Sequence, residues 1–161
     1  MRSMALKLGV FVAGLSFAGT VAASDGAETP VDLWQKDPTA VFDAADVDLT
    51  AFQWIARPVI VFADTAADPA FQRQLELLND RLDELVERDI VLITDTTPAE
   101  RSDIRTNLRP RGFMLTLIGK DGGVKLRKPF PWDVRELTRQ IDKMPLRRQE
   151  IIDAKRAAQG D

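Results

Sequence analysis

Residues 58–63, Pro-Val-Ile-Val-Phe-Ala, form an uninterrupted run of β-branched, aromatic and small apolar side chains. A strand with one solvated face alternates apolar and polar residues, so this run predicts a strand that is buried on both faces. Residues 90–94, Ile-Val-Leu-Ile-Thr, form a second run of the same kind. Strands of this type need helices on both sides of the sheet, which directs the chain towards an α/β fold.

The segment between these two runs has the pattern of a helix. Asp68 precedes Pro69, and this pair is typical of a helix start, where aspartate caps free N–H groups and proline loses no hydrogen bond. An apolar stripe with helical spacing follows at Phe71, Leu75, Leu78, Leu82 and Leu85. A strand, a helix and a strand predict a parallel pair joined by a right-handed crossover.

The rest of the chain predicts a short helix, a hairpin and a final helix. The short helix begins with the capping box Thr-Pro-Ala-Glu at 97–100. Residues 113–118 and 124–127 predict two strands, joined by the tight turn Gly-Lys-Asp-Gly-Gly at 119–123. A cap at Asp133 starts the last core helix. The order β-α-β-α-β-β-α predicts a thioredoxin-like α/β fold, a four-stranded mixed sheet with helices on both faces.

Three residue types are missing from the 161 residues: cysteine, histidine and tyrosine. Without cysteine, the chain has no disulfide, no thiol–disulfide oxidoreductase activity and no cysteine peroxidase activity. Without histidine, it lacks the side chain best suited to proton transfer near neutral pH and the commonest transition-metal ligand. Any site must therefore use carboxylates, lysine, arginine, hydroxyls, amides or backbone groups.

Residues 1–23 have the pattern of a cleavable secretory signal peptide. Arg2 and Lys7 precede a mostly apolar run, and small residues end it at Ala23. We therefore expect cleavage after Ala23, a periplasmic or secreted location in a bacterium, and no transmembrane anchor after cleavage. A retained N-terminal anchor is the alternative, but the uncharged stretch is shorter than the roughly 20 residues that span a bilayer.

After the signal peptide, the chain divides into three parts. Residues 24–50 predict a loosely ordered lead-in, residues 51–145 the thioredoxin-like domain, and residues 146–161 a basic C-terminal helix or tail. Residues 24–110 hold 8 basic and 18 acidic side chains, whereas residues 111–161 hold 12 basic and 7 acidic ones. The asymmetry indicates either a basic face for an anionic partner or two halves that neutralise each other.

Five separated segments of the chain carry a family resemblance. They are residues 52–54 (Phe-Gln-Trp), 57–63 (Arg-Pro-Val-Ile-Val-Phe-Ala), 87–91 (Glu-Arg-Asp-Ile-Val), 112–125 and 144–150 (Met-Pro-Leu-Arg-Arg-Gln-Glu). Over residues 48–150 they resemble a bacterial family of exported, thioredoxin-like domains of unknown function. That family is similar to the DUDES domain of animal sushi-repeat and coiled-coil extracellular matrix proteins. The resemblance implies a thioredoxin-like fold and an extracytoplasmic location, and it implies no catalytic residue.

The loop that holds the cysteine pair in a redox-active thioredoxin corresponds here to residues 64–68, Asp-Thr-Ala-Ala-Asp. The cis-proline that faces this pair in those enzymes is replaced by the segment around Phe113. The resemblance thus implies a thioredoxin-like fold that lacks the thiol chemistry. The candidate binding site at this end, called the mouth below, consists of Asp64, Thr65, Asp68, Phe113 and Met114.

The two mouth carboxylates permit an enzymatic alternative. Asp64 and Asp68 resemble the general acid and base of a hydrolase, provided that burial or mutual repulsion shifts one pKa towards neutrality. The simpler interpretation is that Asp68 caps the helix while Asp64 lies in a solvated loop. An anion at the helix start is disfavoured because Asp68 already uses the free N–H groups.

Basic residues of the second half form a candidate patch for docking. The patch consists of Lys125, Arg127, Arg147 and Arg148. It predicts contact with an unknown protein or an anionic partner in the cell envelope. The alternative is a solvated face whose arginines pair with Glu150 or nearby acids. No nucleic-acid-binding motif accompanies the patch, so we expect no nucleic-acid partner.

We expect neither a metal nor a cofactor. Asp43, Asp46 and Asp48 cluster in the lead-in, but they lack the spacing of an EF-hand and are typical of a solvated acidic loop. The sequence thus predicts an exported, cysteine-free binding or assembly module that is not catalytic. A carboxylate-dependent enzyme at the mouth is the alternative hypothesis.

Overall fold

The computed structural model describes residues 27–160, and the predicted signal peptide, residues 1–23, lies outside them. The strands are β1 (Val41–Asp43), β2 (Arg57–Phe62), β3 (Ile90–Asp95), β4 (Met114–Ile118) and β5 (Val124–Lys128). The helices are α1 (Pro30–Lys36), α2 (Pro69–Asn79), α3 (Leu82–Val86), α4 (Asp103–Leu108), α5 (Val134–Asp142) and α6 (Pro145–Ala158). Among these residues, no helix combines the length and the apolar character that a bilayer span requires.

The sheet is mixed, with the strand order β1-β3-β2-β4-β5. Strands β1, β3 and β2 are parallel, β4 is antiparallel to β2, and β5 is antiparallel to β4. In the centre, Val59 lies opposite Leu92 on one side and Leu117 on the other. Every residue of β2 is buried, which confirms the prediction from its continuous apolar run.

Each face of the sheet has its own apolar core, and alternate residues of the strands contribute to opposite cores. The first core lies under α2, α3 and α5, where Val59 and Val61 meet Phe71, Leu78, Leu85, Leu137 and Ile141. The second core lies under α1 and α4, where Ile60 and Phe62 meet Trp34, Phe52, Ile104 and Leu108. The predicted helices on both faces are therefore confirmed. The short helix α4, however, begins at Asp103 with Ser102 as its cap, and Thr97 of the predicted capping box makes no cap hydrogen bond.

The prediction of four strands is wrong, because the sheet has five. The additional strand is β1, which pairs with β3 in parallel register through Val41 and Leu92. This strand has three residues, and its outer positions, Val41 and Asp43, are exposed. Such a short edge strand has neither a continuous apolar run nor an alternating pattern long enough to identify it.

The lead-in, residues 24–50, also differs from the expected loose segment. Its described part contains α1, β1 and the 3-10 helix Ala44–Asp46. Trp34 is buried, donates a hydrogen bond from Nε1 to the Ile90 carbonyl at 3.1 Å, and packs edge-to-face on Phe52. The lead-in therefore covers the second core and belongs to the folded domain.

The helix predicted after Asp68 is interrupted. It consists of α2 and α3, separated at Arg81, whose φ of −140° and ψ of 39° lie outside the helical region. The apolar stripe continues across the break, because Leu78 and Leu85 are buried in the same core. The helical spacing of apolar residues correctly predicts which face of α2 and α3 is buried, but it does not predict the interruption at Arg81.

We predict that the lead-in contributes to the cooperative stability of the domain. Trp34→Ala should lower the free energy of unfolding by about 3–5 kcal/mol, because it removes a buried indole and leaves a cavity. Leu33→Ala, on the same helix but 41% exposed, is the matched control and should change it by less than about 0.5 kcal/mol. Urea denaturation measures both values, and equal effects of the two substitutions would contradict a structural role for the lead-in.

Candidate functional site

The two carboxylates of the mouth have different environments. Asp68 Oδ1 accepts hydrogen bonds from the backbone N–H groups of Ala70 at 2.7 Å and Phe71 at 3.3 Å. The predicted cap of α2 is thereby confirmed. Asp64 is exposed, and its Oδ1 lies 4.0 Å from Nη1 of Arg105. Asp68 thus caps α2, while Asp64 lies at the surface.

The remaining mouth residues lie in three different places. Phe113 is buried in the first core, whereas Met114 packs against the second core on the opposite face of the sheet. Thr65 is exposed, and its hydroxyl accepts a hydrogen bond from the Ala67 N–H at 3.3 Å. The structure therefore leaves Asp64 and Thr65 accessible and places Phe113 in the interior.

A residue that is not among the sequence-based candidates holds the mouth end together. Arg105 donates from Nε to Asp95 Oδ1 at 2.9 Å, and from Nη2 to the carbonyls of Ala63 at 2.8 Å and Asp95 at 3.0 Å. Its guanidinium carbon lies 5.5 Å from the centre of the Phe62 ring. These contacts join the carboxyl ends of β2 and β3. Arginine in a short helix gives no local sign of this role.

The opposite end of the sheet, which we call the base, carries a cluster of paired charges. The base comprises the amino ends of β2 and β3, the turn after β4 and the first turns of α6, about 20 Å from the mouth along the strands. The base cluster consists of four cations and four carboxylates: Arg57, Arg88, Lys120, Arg147, Glu87, Asp89, Asp142 and Glu150.

Arg57 is the most buried member of the base cluster, with a side-chain exposure of 1%. Its Nη2 donates to both carboxylate oxygens of Glu150, at 2.9 and 3.0 Å, and its Nη1 donates to the Arg88 carbonyl at 2.9 Å. A guanidinium retains its charge in proteins, so its burial requires such partners. The first residue of the central strand is therefore paired with α6.

The other cations extend this pairing across the base. Lys120 Nζ lies 2.8 Å from Asp89 Oδ2 and 2.9 Å from Glu150 Oε1. Arg88 makes two 2.9 Å hydrogen bonds to Asp142, from Nε and Nη2. All these residues except Asp142 lie in segments that carry the family resemblance, and the fold brings those segments together.

The charges of the base cluster shift two pKa values. Burial acts to raise the pKa of Glu150, but the hydrogen bonds and positive charges of Lys120 and Arg57 together outweigh it, and the pKa lies below its ordinary value. The hydrogen bond with Asp142 raises the pKa of Arg88. The cluster thus stabilises the ionised form of both groups.

The four residues of the predicted basic patch differ in burial and in their partners. Arg147 is buried in the base cluster, where Nη2 donates to Glu87 Oε1 at 3.1 Å, as the alternative of pairing with nearby acids predicts. Lys125 Nζ pairs with Asp121 at 2.6 Å, and Arg127 Nη1 donates to the Leu108 carbonyl at 2.6 Å. Arg148 is exposed. Their common charge, read from sequence, did not reveal these separate environments.

A cavity of about 390 Å³ lies beside the base cluster. We call it the base cavity. Its apolar wall comes from Trp54, Met144, Pro145 and Leu146, and Lys120 also lines it. A cavity of this size and character fits the usual dimensions of a ligand-binding pocket or of a pocket for a large side chain.

Trp54 is held at the edge of the base cavity in an unusual conformation. Its side chain is 65% exposed, and its φ of 65° lies in the left-handed region. The backbone N–H of Trp54 donates to the Lys120 carbonyl at 2.7 Å, and Gln53 Nε2 donates to the Asp121 carbonyl at 3.2 Å. Two hydrogen bonds thus fix the tryptophan segment to the turn after β4.

In the described part of the lead-in, acidic side chains serve as helix caps and do not form a metal site. Within residues 27–160, no group of three or more acidic side chains converges as metal ligands do. The aspartates at 43 and 48 instead accept hydrogen bonds from the N–H groups of Ala45 and Thr50, both at 2.8 Å. These two carboxylates cap short 3-10 helices.

Comparisons with known proteins bear on the family and on the fold. A family model described as a domain of unknown function, DUF4174, matches residues 48–150. Among solved structures, the reduced 2-Cys peroxiredoxin of Plasmodium vivax is similar, with a TM-score of 0.51 and 16% sequence identity, over 60% of this chain and 81% of that chain. At this identity the likeness shows the fold alone, which is thioredoxin-like.

Two further similar structures have lower TM-scores. Chloroplastic thioredoxin z has a TM-score of 0.44 and 19% identity, over 55% of this chain and 80% of that chain. The mitochondrial 2-Cys peroxiredoxin from Plasmodium falciparum has a TM-score of 0.45 and 18% identity, over 60% of this chain and 79% of that chain.

We predict that Glu150→Gln destabilises the domain because it leaves Arg57 buried without its main counter-charge. The free energy of unfolding should fall by about 2 kcal/mol or more, with Asp89 at 3.8 Å from Arg57 limiting the loss. Glu136→Gln removes the same charge from a solvated pair with Arg139. This control should cost less than about 1 kcal/mol. Equal losses in urea denaturation would contradict the role of Glu150.

The lowered pKa of Glu150 also predicts a pH dependence. Because its folded-state pKa lies below its ordinary value of 4.5, its stabilising contribution is complete above that value and is lost as pH falls through the folded-state pKa. Between pH values of about 5 and about 3, the wild-type chain should therefore lose more stability than Glu150→Gln. Parallel pH profiles of the two chains would contradict this assignment.

Proposed function

The chain belongs to the DUF4174 family, and we propose that it is an exported, non-catalytic binding module that contacts a protein partner through the base cavity. The observation that carries this proposal is the exposed Trp54 beside an apolar cavity. Tryptophan is enriched among the residues that dominate interface energies, and burying an exposed indole against a partner is favourable.

The mouth supports a structural role better than a catalytic one. Asp68 caps α2, and Arg105 uses its donors to join β2 and β3. The whole sequence lacks the cysteine on which the chemistry of redox-active thioredoxins depends. These roles favour a binding module over a hydrolase that uses Asp64 and Asp68, the alternative from the sequence.

Export and ancestry complete the proposal. The proposed location is the periplasm or the exterior of a bacterial cell, reached through the signal peptide of residues 1–23. The proposed relationship is to the DUDES domain of animal sushi-repeat and coiled-coil extracellular matrix proteins, which the family resemblance of the sequence suggests.

We predict that the mature chain begins at Ser24. Signal peptidase cleaves after small residues, and the segment that ends at Ala23 provides them. Mass spectrometry of the chain recovered from the extracytoplasmic fraction of producing cells identifies the N-terminus. Substitution of Ala23 by a bulky residue, Ala23→Phe, should leave the precursor uncleaved. An unprocessed wild-type chain that stays in the cytoplasm would contradict export.

We predict that a photoreactive group at position 146 reports contact with a partner. Leu146 lines the base cavity and is 39% exposed, so p-benzoylphenylalanine at this position should give a discrete cross-linked product in producing cells. The same group at Phe130, an exposed aromatic position after β5 at the other end of the sheet, is the matched control and should give none.

Trp54→Gly in the same chain separates binding from stability. Glycine adopts a φ of 65° without strain, so this substitution should change the free energy of unfolding by no more than about 1 kcal/mol. It should nevertheless abolish the product at position 146. A product that survives Trp54→Gly, or equal products from both photoreactive positions, would contradict binding at the base cavity.

A further inference from the structure

The base cavity and its surrounding charges indicate the chemistry of the occupant. We infer that the base cavity accepts a large apolar side chain from an acidic peptide segment of the partner. This inference rests on the proposed function, and it adds the class of ligand. Three features carry it, namely a surplus of positive charge, the position of that charge, and a rigid apolar wall.

The positive surplus follows from the pairing of charges at the base. The base cluster contains equal numbers of cations and carboxylates, and on the rim of the cavity Lys125 pairs with Asp121. Two further cations, Lys143 and Arg148, are exposed, and neither forms an ion pair within residues 27–160. Counted over the base cluster, the Lys125–Asp121 pair and these two sequence neighbours of the cavity wall, cations outnumber carboxylates by two.

In the sequence, Lys143 precedes and Arg148 follows the three lining residues at positions 144–146. Lys143 directly precedes Met144, which lines the base cavity. Arg148 follows Pro145, another lining residue, by three positions on α6, a spacing that puts both on the same side of the helix. Carboxylates that flank an apolar side chain in the cavity would therefore meet unpaired positive charge.

The apolar wall is held in place before any ligand binds. The hydrogen bonds from the Trp54 N–H to Lys120 and from Gln53 to Asp121 fix the tryptophan segment. The ion pair between Arg57 and Glu150 fixes the start of α6, which carries Leu146. A preformed site loses little conformational entropy on binding, which favours even a short peptide.

The combination of features distinguishes a peptide from other anions. A nucleic acid or a polysaccharide supplies negative charge but no large apolar side chain for the cavity. An anionic membrane supplies negative charge and apolar acyl chains. It presents them as an extended plane, whereas the base cavity is a single concave site. An acidic peptide can place one apolar side chain in a cavity of about 390 Å³ and keep its carboxylates at the rim.

Titration of the ¹⁵N-labelled mature chain with three blocked hexapeptides tests the inference by NMR. Two central leucines lie between glutamate pairs in the first peptide and between lysine pairs in the second; two central serines lie between glutamate pairs in the third. The first peptide should shift the indole N–H signal of Trp54 and leave those of Trp34 and Trp132 unchanged. The lysine and serine peptides should bind at least about tenfold more weakly.

Two pairs of variants test the role of charge. Lys143→Gln combined with Arg148→Gln should weaken binding of the glutamate–leucine peptide about tenfold. Lys155→Gln combined with Arg156→Gln removes the same charge from the far end of α6 and should leave the affinity unchanged. Trp54→Gly should abolish binding and identifies the Trp54 signal by its loss.

Specific results would overturn the inference. Equal binding of the lysine and glutamate peptides, no shift with any peptide, or equal effects of the two charge-removing pairs would refute an acidic peptide as the ligand. Shifts of the same signals by phosphatidylglycerol vesicles but not by the peptides would assign the surface to lipid. A cross-link from position 146 together with any of these results would refute only the ligand class. Loss of that cross-link as well would refute the proposed function.

Discussion

The buried ion pair between Arg57 and Glu150 determines how the two ends of the chain meet. Arg57 begins the central strand, where its side chain is nearly inaccessible to water, and its guanidinium cannot become neutral. The required carboxylate comes from α6, 93 residues further along the chain. Because Glu150 also contacts Lys120, one carboxylate joins β2, the turn after β4 and α6. The same pairing places the start of α6, with Pro145 and Leu146, beside the turn after β4, where both line the base cavity.

The two ends of the sheet consequently have different characters. At the mouth, Asp68 and Arg105 direct their polar groups to helix and strand ends, so both side chains form hydrogen bonds within the protein. At the base, the charged groups are also paired, but they support an apolar wall that remains accessible at Trp54 and Leu146. The fold is thioredoxin-like, and the surface that we propose for recognition lies at the end opposite to the loop of residues 64–68, which corresponds to the cysteine-bearing loop of redox-active thioredoxins. A fold determines where loops meet and leaves their chemistry open.

Local patterns predict most of this fold. The apolar runs of β2 and β3, the cap at Asp68 and the turn at residues 119–123 each depend on neighbours in sequence. The short strand β1 and the interruption at Arg81 depend on tertiary contacts, and no local pattern identifies them. The same limit applies to the base. Arg57, Lys120 and Glu150 are ordinary charged residues in sequence, and only the folded chain pairs them. These three residues lie in the segments that carry the family resemblance, but the resemblance does not predict that their side chains form ion pairs.

At Trp54, the conformation of the backbone is unfavourable for stability, but the exposed indole suits the contact with a partner that we propose. A left-handed backbone costs a non-glycine residue roughly 1–2 kcal/mol, and an indole that is largely exposed recovers little of that cost by packing. Glycine could replace tryptophan here at little cost in stability, since the hydrogen bond to Lys120 comes from the backbone and does not depend on the side chain. The large apolar side chain in this conformation supports our proposal that Trp54 contacts a partner. The support beneath it, which extends through Lys120 to the Arg57–Glu150 pair, holds the backbone of Trp54 beside the base cavity.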